Sequence, residues 1–419
     1  MGKKKDKFGY NATWSMAVGG MVGGGIFSVL GVVVGTAGQW AWLSFVIAGI
    51  IALISAHSYG QLSVKYEKSG GSFTFLNQEH MRGTAASLSW ILVLGYVLTI
   101  SVYAFTFGHY VAHVVHGGAW VPRVLAFCVI AALAWVNMRG VGDASRVEII
   151  TVWGKVFVLL GLAVFGLAQW DAEELTAGIE PGAWTGAIVG AATIFMAYEG
   201  FQLLSYDYEE IDQPKKTLPR ATIAAVLSVI VIYILVTLGA TMLVGAGTLI
   251  EKKEVALAIA GQKALGTAGL IIVTIAAVFS TGSAINATLF STARLMRTVT
   301  KEHGLPQIVG KENDAEVPYV AVLIIAGVAA ALAALGSLST LVDAASLIFL
   351  VTFGVVNAIA FHEKVKYRWA CLLGAIACGA AIVTSSMQQF QHRPIPLFVI
   401  VGLMVLAVVI RPLVLRRMQ

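Results

Sequence analysis

The chain has 419 residues, of which 58% are hydrophobic and only 12% charged, about half the charged share of a soluble domain. With a mean hydropathy of +0.83, this excludes most soluble classes, because surface-to-volume scaling leaves many residues of a soluble fold facing water. The net charge of +6 and the pI near 9.1 do not mark a nucleic-acid binder: such proteins gather basic residues on one soluble face, whereas here they fall between long apolar runs.

A helix that crosses a bilayer needs about 20 mostly apolar residues. Twelve stretches qualify, at 12–36, 40–64, 84–114, 120–138, 147–169, 184–205, 218–245, 264–293, 318–336, 338–361, 368–386 and 394–415. The basic start from Met1 to Lys7 precedes a run too long for a signal peptide and without a small-residue cleavage site, so no cleavable leader is expected. With the N-terminus inside, alternate connections hold 22 Lys and Arg on the inner side and 5 on the outer side. The positive-inside rule then predicts a multi-pass protein of the cell membrane with both termini cytoplasmic. The acidic loop of Asp171, Glu173 and Glu174 fits the outside, and Trp40, Trp42, Trp120, Trp135, Trp170 and Trp184 near span ends read as an interfacial belt. Cys128, Cys371 and Cys378 all lie in apolar stretches, with neither a disulfide framework nor metal-ligand spacing.

Two spans carry chemistry unsuited to a plain helix. In the first, Gly19, Gly20, Gly23, Gly24 and Gly25 are five glycines in seven residues; each costs about 1 kcal/mol relative to Ala in a helix interior. A mid-membrane glycine cluster predicts a helix broken where it lines a cavity, since lipid cannot satisfy freed backbone groups. The alternative is a close helix–helix contact through small residues. In the sixth span, Ile194-Phe-Met-Ala-Tyr-Glu-Gly-Phe201 places Glu199 and Gly200 near the membrane centre. An ionisable group there costs at least ~2.5 kcal/mol and usually faces a site, although a purely structural pairing would also hold it. Spans one and six are five apart, the spacing of a five-helix inverted repeat whose halves each open with a discontinuous helix. Helix N-termini suit a carboxylate and freed carbonyls suit an ammonium; a ligand with both groups is an amino acid, while an amine would need an acid such as Glu199.

These residues resemble the amino acid–polyamine–organocation superfamily. The resemblance rests on Val22-Gly-Gly-Gly-Ile-Phe27, on Tyr59-Gly-Gln-Leu62 with Lys68-Ser-Gly-Gly-Ser-Phe73, and on Phe195-Met-Ala-Tyr-Glu-Gly-Phe201 with the loop Glu209-Glu-Ile-Asp-Gln-Pro-Lys-Lys-Thr-Leu-Pro-Arg220. Asn286, Ser291-Thr-Ala-Arg294 and Gly304-Leu-Pro306 complete it in family order. It implies an all-α fold of twelve membrane helices. A cytoplasmic tail (1–11) would precede a ten-helix core (12–361), in two inverted repeats at about 12–170 and 184–361 with helices one and six broken. Two additional helices (362–419) would follow. It also implies proton-coupled secondary transport of amino acids by alternating access. Substrate recognition would involve Met21, Val22, Gly23, Gly24, Gly25, Ile26, Ala197, Tyr198, Glu199, Gly200 and Phe201. Two residues depart from the family pattern: Gln61 stands where relatives often have Glu, and Glu199 where many amino acid carriers have an apolar residue. Glu199 opens the option of cationic amino acids or small amines, or a place on the proton path.

Lys155 lies about nine residues, roughly 13 Å of helix, past Arg146, too deep for easy snorkelling. In several proton-coupled relatives a fifth-helix lysine replaces a sodium ion. The resemblance therefore implies that Lys155 bridges carbonyls near Gly19 and Gly20 to an eighth-helix hydroxyl, from among Ser280, Thr281 and Ser283. The alternative is a lysine paired with Glu148 or Glu199. His109, His113 and His116 share one face near the end of span three but lack a carboxylate partner, which favours an interfacial end over a metal site. His57 is expected to be packed and hydrogen-bonded, Asp343 to cap or complement the start of span ten, and Phe201 to act as an outer gate; Tyr96, Tyr103, Phe105 and Phe107 are candidates for an aromatic lid. With no phosphate-binding loop and no nucleophile–base pattern, no cofactor, metal or enzymatic activity is expected. The expected partners are a small-molecule substrate, protons and the bilayer. The alternatives are an amino acid/amine exchanger or an ion carrier on the same fold.

Overall fold

The computed structural model describes residues 7–79, 82–140, 145–302 and 304–392, with 397, 398, 402 and 405. Thirteen α-helices are assigned among these residues: α1 (Tyr10–Ala37), α2 (Ala41–Tyr66), α3 (Gly71–Gln78), α4 (Arg82–Val114), α5 (Val121–Met138), α6 (Ser145–Leu167), α7 (Gly186–Thr193), α8 (Pro214–Val244), α9 (Ala246–Glu251), α10 (Ala256–Lys301), α11 (Tyr319–Leu335), α12 (Leu338–His362) and α13 (Arg368–His392). No strand is assigned among the described residues. Eight helical stretches among them are long and apolar enough to cross a bilayer by length and composition, one of which joins α1 and α2; α11 is apolar but shorter. The expected sixth span is broken, and the expected twelfth, 394–415, lies almost wholly outside the described residues. The twelve-span count is therefore not reached among them.

Hydrophobicity sorts the helices into a centre and a rim. The most apolar window of α1–α2 is 94% buried, that of α5 only 22%. Rim helices turn Ile150, Phe157, Phe279, Leu373 and Phe390 outward; apolar surface on this scale calls for lipid. Helices five spans apart pair with one another: α2 on α8, α4 on α10, α5 on α11, and α1 on the broken segment after α7. This is the arrangement a five-plus-five repeat gives. α13 packs on α12, α2 and α7, outside the core.

The interruption expected in the first span is absent. α1 runs from Tyr10 to Ala37 as one helix through all five glycines. The glycines act instead through close approach: a Cβ on Gly20 would lie 2.9 Å from Gly200 Cα, one on Gly24 would enter the Tyr103 ring, and one on Gly25 would meet the Tyr233 hydroxyl. Small residues here let neighbouring backbones and rings touch α1. α10 contains a sharp turn at Leu265 (φ −134°, ψ 19°) and Gly266 (φ 61°, ψ −146°), so its long membrane-crossing arm starts after 266 rather than at 264.

Ion pairs close the end of the bundle that carries the N-terminus. Arg294 binds Asp207 at 3.0 Å, Lys215 binds Glu67 at 2.6 Å, and Lys65–Glu363 and Arg297–Glu312 are also paired. The tail joins this closure: Phe8 N–H donates to the Glu210 carbonyl and Asp212 N–H to the Phe8 carbonyl, both at 2.9 Å.

Candidate functional site

The sixth span breaks as its sequence predicts. α7 ends at Thr193, a 3₁₀ turn covers Phe195–Tyr198, Glu199 is extended (φ −67°, ψ 138°), and Gly200 has φ 137°, ψ −42° before a second 3₁₀ segment, Phe201–Tyr206. Only glycine holds the Gly200 conformation without strain. The loose backbone ends are taken up by side chains. Ser346 of α12 donates to the Thr193 carbonyl (2.5 Å) and accepts from Met196 N–H (3.0 Å). Gln202 Oε1 accepts from Gly200 N–H (2.9 Å).

Glu199 is buried, and its Oε1 accepts from Gln202 Nε2 at 2.9 Å. The same amide is 3.4 Å from the Tyr96 hydroxyl, itself 3.2 Å from the Tyr206 hydroxyl. Tyr103 lies close enough to interact with the carboxyl, though its hydroxyl has no partner at hydrogen-bond geometry among the described residues. Glu199 thus sits in a network of amide and phenol groups, with its hydrogen bond going to Gln202 rather than to Lys155.

α1 supplies the opposite wall. Its carbonyls collect donors from other helices: Lys155 Nζ to Gly19 (3.0 Å), Tyr233 to Met21 (2.7 Å), Ser280 to Val22 (3.0 Å) and Tyr110 to Phe27 (3.3 Å). A carbonyl oxygen has two lone pairs, so each can accept a second hydrogen bond in an unbroken helix. Tyr233 also points at the Ala197 carbonyl (2.9 Å), so one hydroxyl ties α1 to the break. Met21, Val22, Gly23, Gly24, Gly25 and Ile26 are all buried in this region. Ala197 and Tyr198 are buried beside them, and Tyr198 donates to the Phe45 carbonyl of α2 (2.7 Å).

Lys155 is 2% exposed and reaches the first helix at the carbonyl the resemblance indicated, that of Gly19. Of the three candidate hydroxyls, Ser280 reaches α1. Thr281 instead bonds the Ala277 carbonyl of its own helix (2.7 Å) and Ser283 that of Ser280 (3.0 Å). A cavity of about 50 Å³, lined by Gly19, Gly20, Gly200, Asp207 and Ser283 among others, lies between this site and the N-terminal end.

Other expectations change. The Phe201 ring, expected at the outer side, packs on Tyr59 (5.9 Å) and Phe353 (5.3 Å), toward the N-terminal end of the bundle. The cap of α12 is Ser337, which accepts from Thr340 N–H; Asp343 lies further along the helix, on the wall of a cavity. His109 stacks on Phe105 (4.0 Å), and His57 bonds the Lys366 carbonyl (2.7 Å) as expected. Sequence reasoning missed Gln202, Tyr233 and Ser346. Gln202 was findable as a second polar residue three after Glu199; the others had no local signal.

Comparison with known proteins adds the class of cargo. The amino acid permease family profile matches residues 8–409. The chain belongs to the amino acid permease family. This permease is 28% identical over 355 residues to the inner membrane transport protein YbaT of Escherichia coli, covering 84% of this chain and 82% of that protein. It is 28% identical to the Asc-type amino acid transporter 1 of Mus musculus over 368 residues, 84% of this chain and 69% of that one. It is also 30% identical over 321 residues to the mouse large neutral amino acids transporter small subunit 2, across 73% of this chain and 60% of that protein. A manganese transporter of Eremococcus coleocola superposes with a TM-score of 0.62 at 10% identity over 98% of this chain and 95% of that one, a likeness of fold alone. This permease is accordingly a multi-pass membrane transporter of the secondary amino acid type.

Proposed function

We propose that this permease takes up neutral amino acids in symport with protons, by alternating access across a cell membrane, with its N-terminal end in the cytoplasm. The observation that carries the reading is the Glu199–Gly200 break, packed backbone to backbone against Gly20 of α1. In this reading the backbone of the two segments around that contact recognises the amino and carboxyl groups of a substrate, as at other interrupted membrane helices. Neutral cargo is favoured over cationic cargo because the Glu199 carboxyl is engaged by Gln202, and because one relative's name specifies large neutral amino acids. Orientation rests on the 22-to-5 distribution of basic residues.

Proton coupling rests on Lys155. A fixed ammonium on the Gly19 carbonyl occupies the place where a bound cation would otherwise satisfy α1, and two cations in one buried site repel. Glu199, a buried carboxyl in the same core, is the group assigned to carry the proton. The test is uptake into sodium-free proteoliposomes with an imposed inward proton gradient, using labelled neutral and cationic amino acids and diamines. Accumulation of neutral amino acids that collapses with a protonophore is expected. Swapping against preloaded ligand without gradient-driven accumulation would replace symport by exchange, and preference for diamines would overturn the neutral assignment.

A further inference from the structure

The end of the bundle that carries the N-terminus holds a group of side chains able to ligate a metal ion. One imidazole nitrogen of His362 and one carboxylate oxygen each of Glu79 and Glu363 lie within 4.8 Å of one another. Glu79 follows directly on α3, His362 is the last residue of α12, and Glu363 caps that helix. The two elements are far apart in sequence and meet beside α2, against which both pack. None of the three residues belongs to the site around Glu199.

Two carboxylates this close repel unless a cation lies beside them. The Lys65 ammonium already answers that demand: it pairs with the Glu363 carboxylate and donates to the Glu363 carbonyl at 3.2 Å. It compensates one of the two negative charges, and the carbonyl end of α12 adds partial negative charge of its own. The Lys65 side chain is 43% exposed, so it can turn to water at little cost. Tyr66 steadies the other arm by donating its hydroxyl to Glu79 Oε1 at 2.6 Å, as hydrogen-bonded partners orient the ligands of metal sites. An imidazole with two carboxylates is a donor set for a transition-metal dication rather than for Mg²⁺ or Ca²⁺, which take oxygen ligands. Zn–N and Zn–O distances of ~2.0–2.2 Å place ligand atoms about 3.3–3.6 Å apart, so a movement of about 1 Å by each side chain closes the group on an ion.

We propose that Glu79, His362 and Glu363 form a binding site for a divalent transition-metal ion of the Zn²⁺ class, with the Lys65 ammonium as the cation that the metal displaces. A bound ion ties the segment after α3 to the end of α12, and so adds to the ion pairs that close this end of the bundle. The site does not depend on the transport reading, and either can fail alone.

The experiment is equilibrium titration of the purified full-length carrier, free of any polyhistidine tag, with Zn²⁺ in competition with a chromophoric chelator. The wild type is expected to bind Zn²⁺ saturably. His362→Gln and Glu79→Gln should each weaken that binding by about tenfold or more, since even the partners of metal ligands are worth that much. Lys65→Met should instead bind about two- to fivefold more tightly, because Zn²⁺ no longer has to break an exposed ion pair. A gain of affinity cannot arise from misfolding, so this variant keeps the test decisive if the other two are damaged. His113→Gln, in the histidine group at the opposite end of the bundle, should leave the affinity unchanged, and excess Mg²⁺ should not displace the Zn²⁺. No saturable binding by the wild type, equal affinity in wild type, His362→Gln and Glu79→Gln, or no gain in Lys65→Met would overturn the site. Displacement by Mg²⁺ would overturn it as well, by showing an oxygen-only cluster without the imidazole.

Discussion

The contact between Gly20 and Gly200 is the narrowest point between α1 and the broken segment, and Gly200→Ala tests it most directly. Two costs are separable. Gly200 has φ 137°, a region that costs a non-glycine residue about 1–3 kcal/mol. A Cβ there would also lie 2.6 Å from Gly20 C and Met21 N. Backbone on both sides cannot rotate away as a side chain would, and overpacking of this kind costs about 1–3 kcal/mol more. The expected total is therefore at least about 2 kcal/mol, or roughly a 30-fold effect if it falls on the transport cycle.

Two companion variants separate the terms. Gly20→Ala meets Gly200 Cα at 2.9 Å but sits in helical backbone, so it should carry the crowding cost alone. Gly282→Ala in α10 meets nothing within 4 Å and should be neutral or stabilising by up to about 1 kcal/mol from helix propensity. Initial rates of L-leucine counterflow in proteoliposomes, with the thermal midpoint of each purified variant, should rank the damage Gly200→Ala, then Gly20→Ala, then Gly282→Ala. Wild-type rate and midpoint in Gly200→Ala, or a reversed order of the first two, would refute the reasoning.

Further outcomes follow from the same geometry. Tyr233→Phe removes the hydroxyl shared by the Met21 and Ala197 carbonyls and should lower stability by about 1–3 kcal/mol, read as a fall in thermal midpoint; an unchanged midpoint would mean that the bridge is dispensable. Lys155→Ala should abolish proton-driven accumulation while L-leucine binding stays measurable, and undiminished pH-driven uptake would remove Lys155 from coupling. Glu199→Gln should flatten the pH profile of uptake, and an unchanged profile would leave the carboxyl structural. At the closed end, the Lys65 ammonium holds the Glu363 carboxyl below its usual range. A lowered carboxylate value stabilises the fold above the ordinary carboxylate range, near pH 4, and that contribution is lost as pH falls through the lower folded value. Lys65 is well exposed, so the contribution is at most about 1 kcal/mol. The difference in thermal midpoint between wild type and Lys65→Met should be constant from pH 5 to 7 and shrink below about pH 4; a pH-independent difference would argue against the pairing.

The two glycine-bearing spans show how far sequence reasoning reaches here. Residues 194–201 place a carboxyl and a glycine in an otherwise apolar run, and both demands are local: a buried charge needs partners and Gly200 needs positive φ. The break could therefore be read from the sequence. The glycines of α1 are ambiguous at that level, because a helix break and a close approach both call for missing Cβ atoms. What decides between them is the set of groups facing each glycine: Gly200 at Gly20, Ala284 at Gly23, Tyr103 at Gly24 and Tyr233 at Gly25. All are distant in sequence, so no local pattern contains the answer. The surroundings of Phe201 are non-local in the same way, since its ring meets Tyr59 and Phe353 from two other helices.

The unbroken first helix still presents carbonyl oxygens to groups outside its own ladder. An interrupted helix would serve transport by offering carbonyl oxygens to an ammonium or a cation. In α1 the carbonyls of Gly19, Met21 and Val22 are offered through their second lone pairs, to Lys155, Tyr233 and Ser280. The glycines make this reachable, because side chains at those positions would hold the donors away from the helix. A helix in this condition is held by other helices as much as by its own ladder. Moving any of those three donors therefore alters α1 where it packs against the break at Glu199 and Gly200.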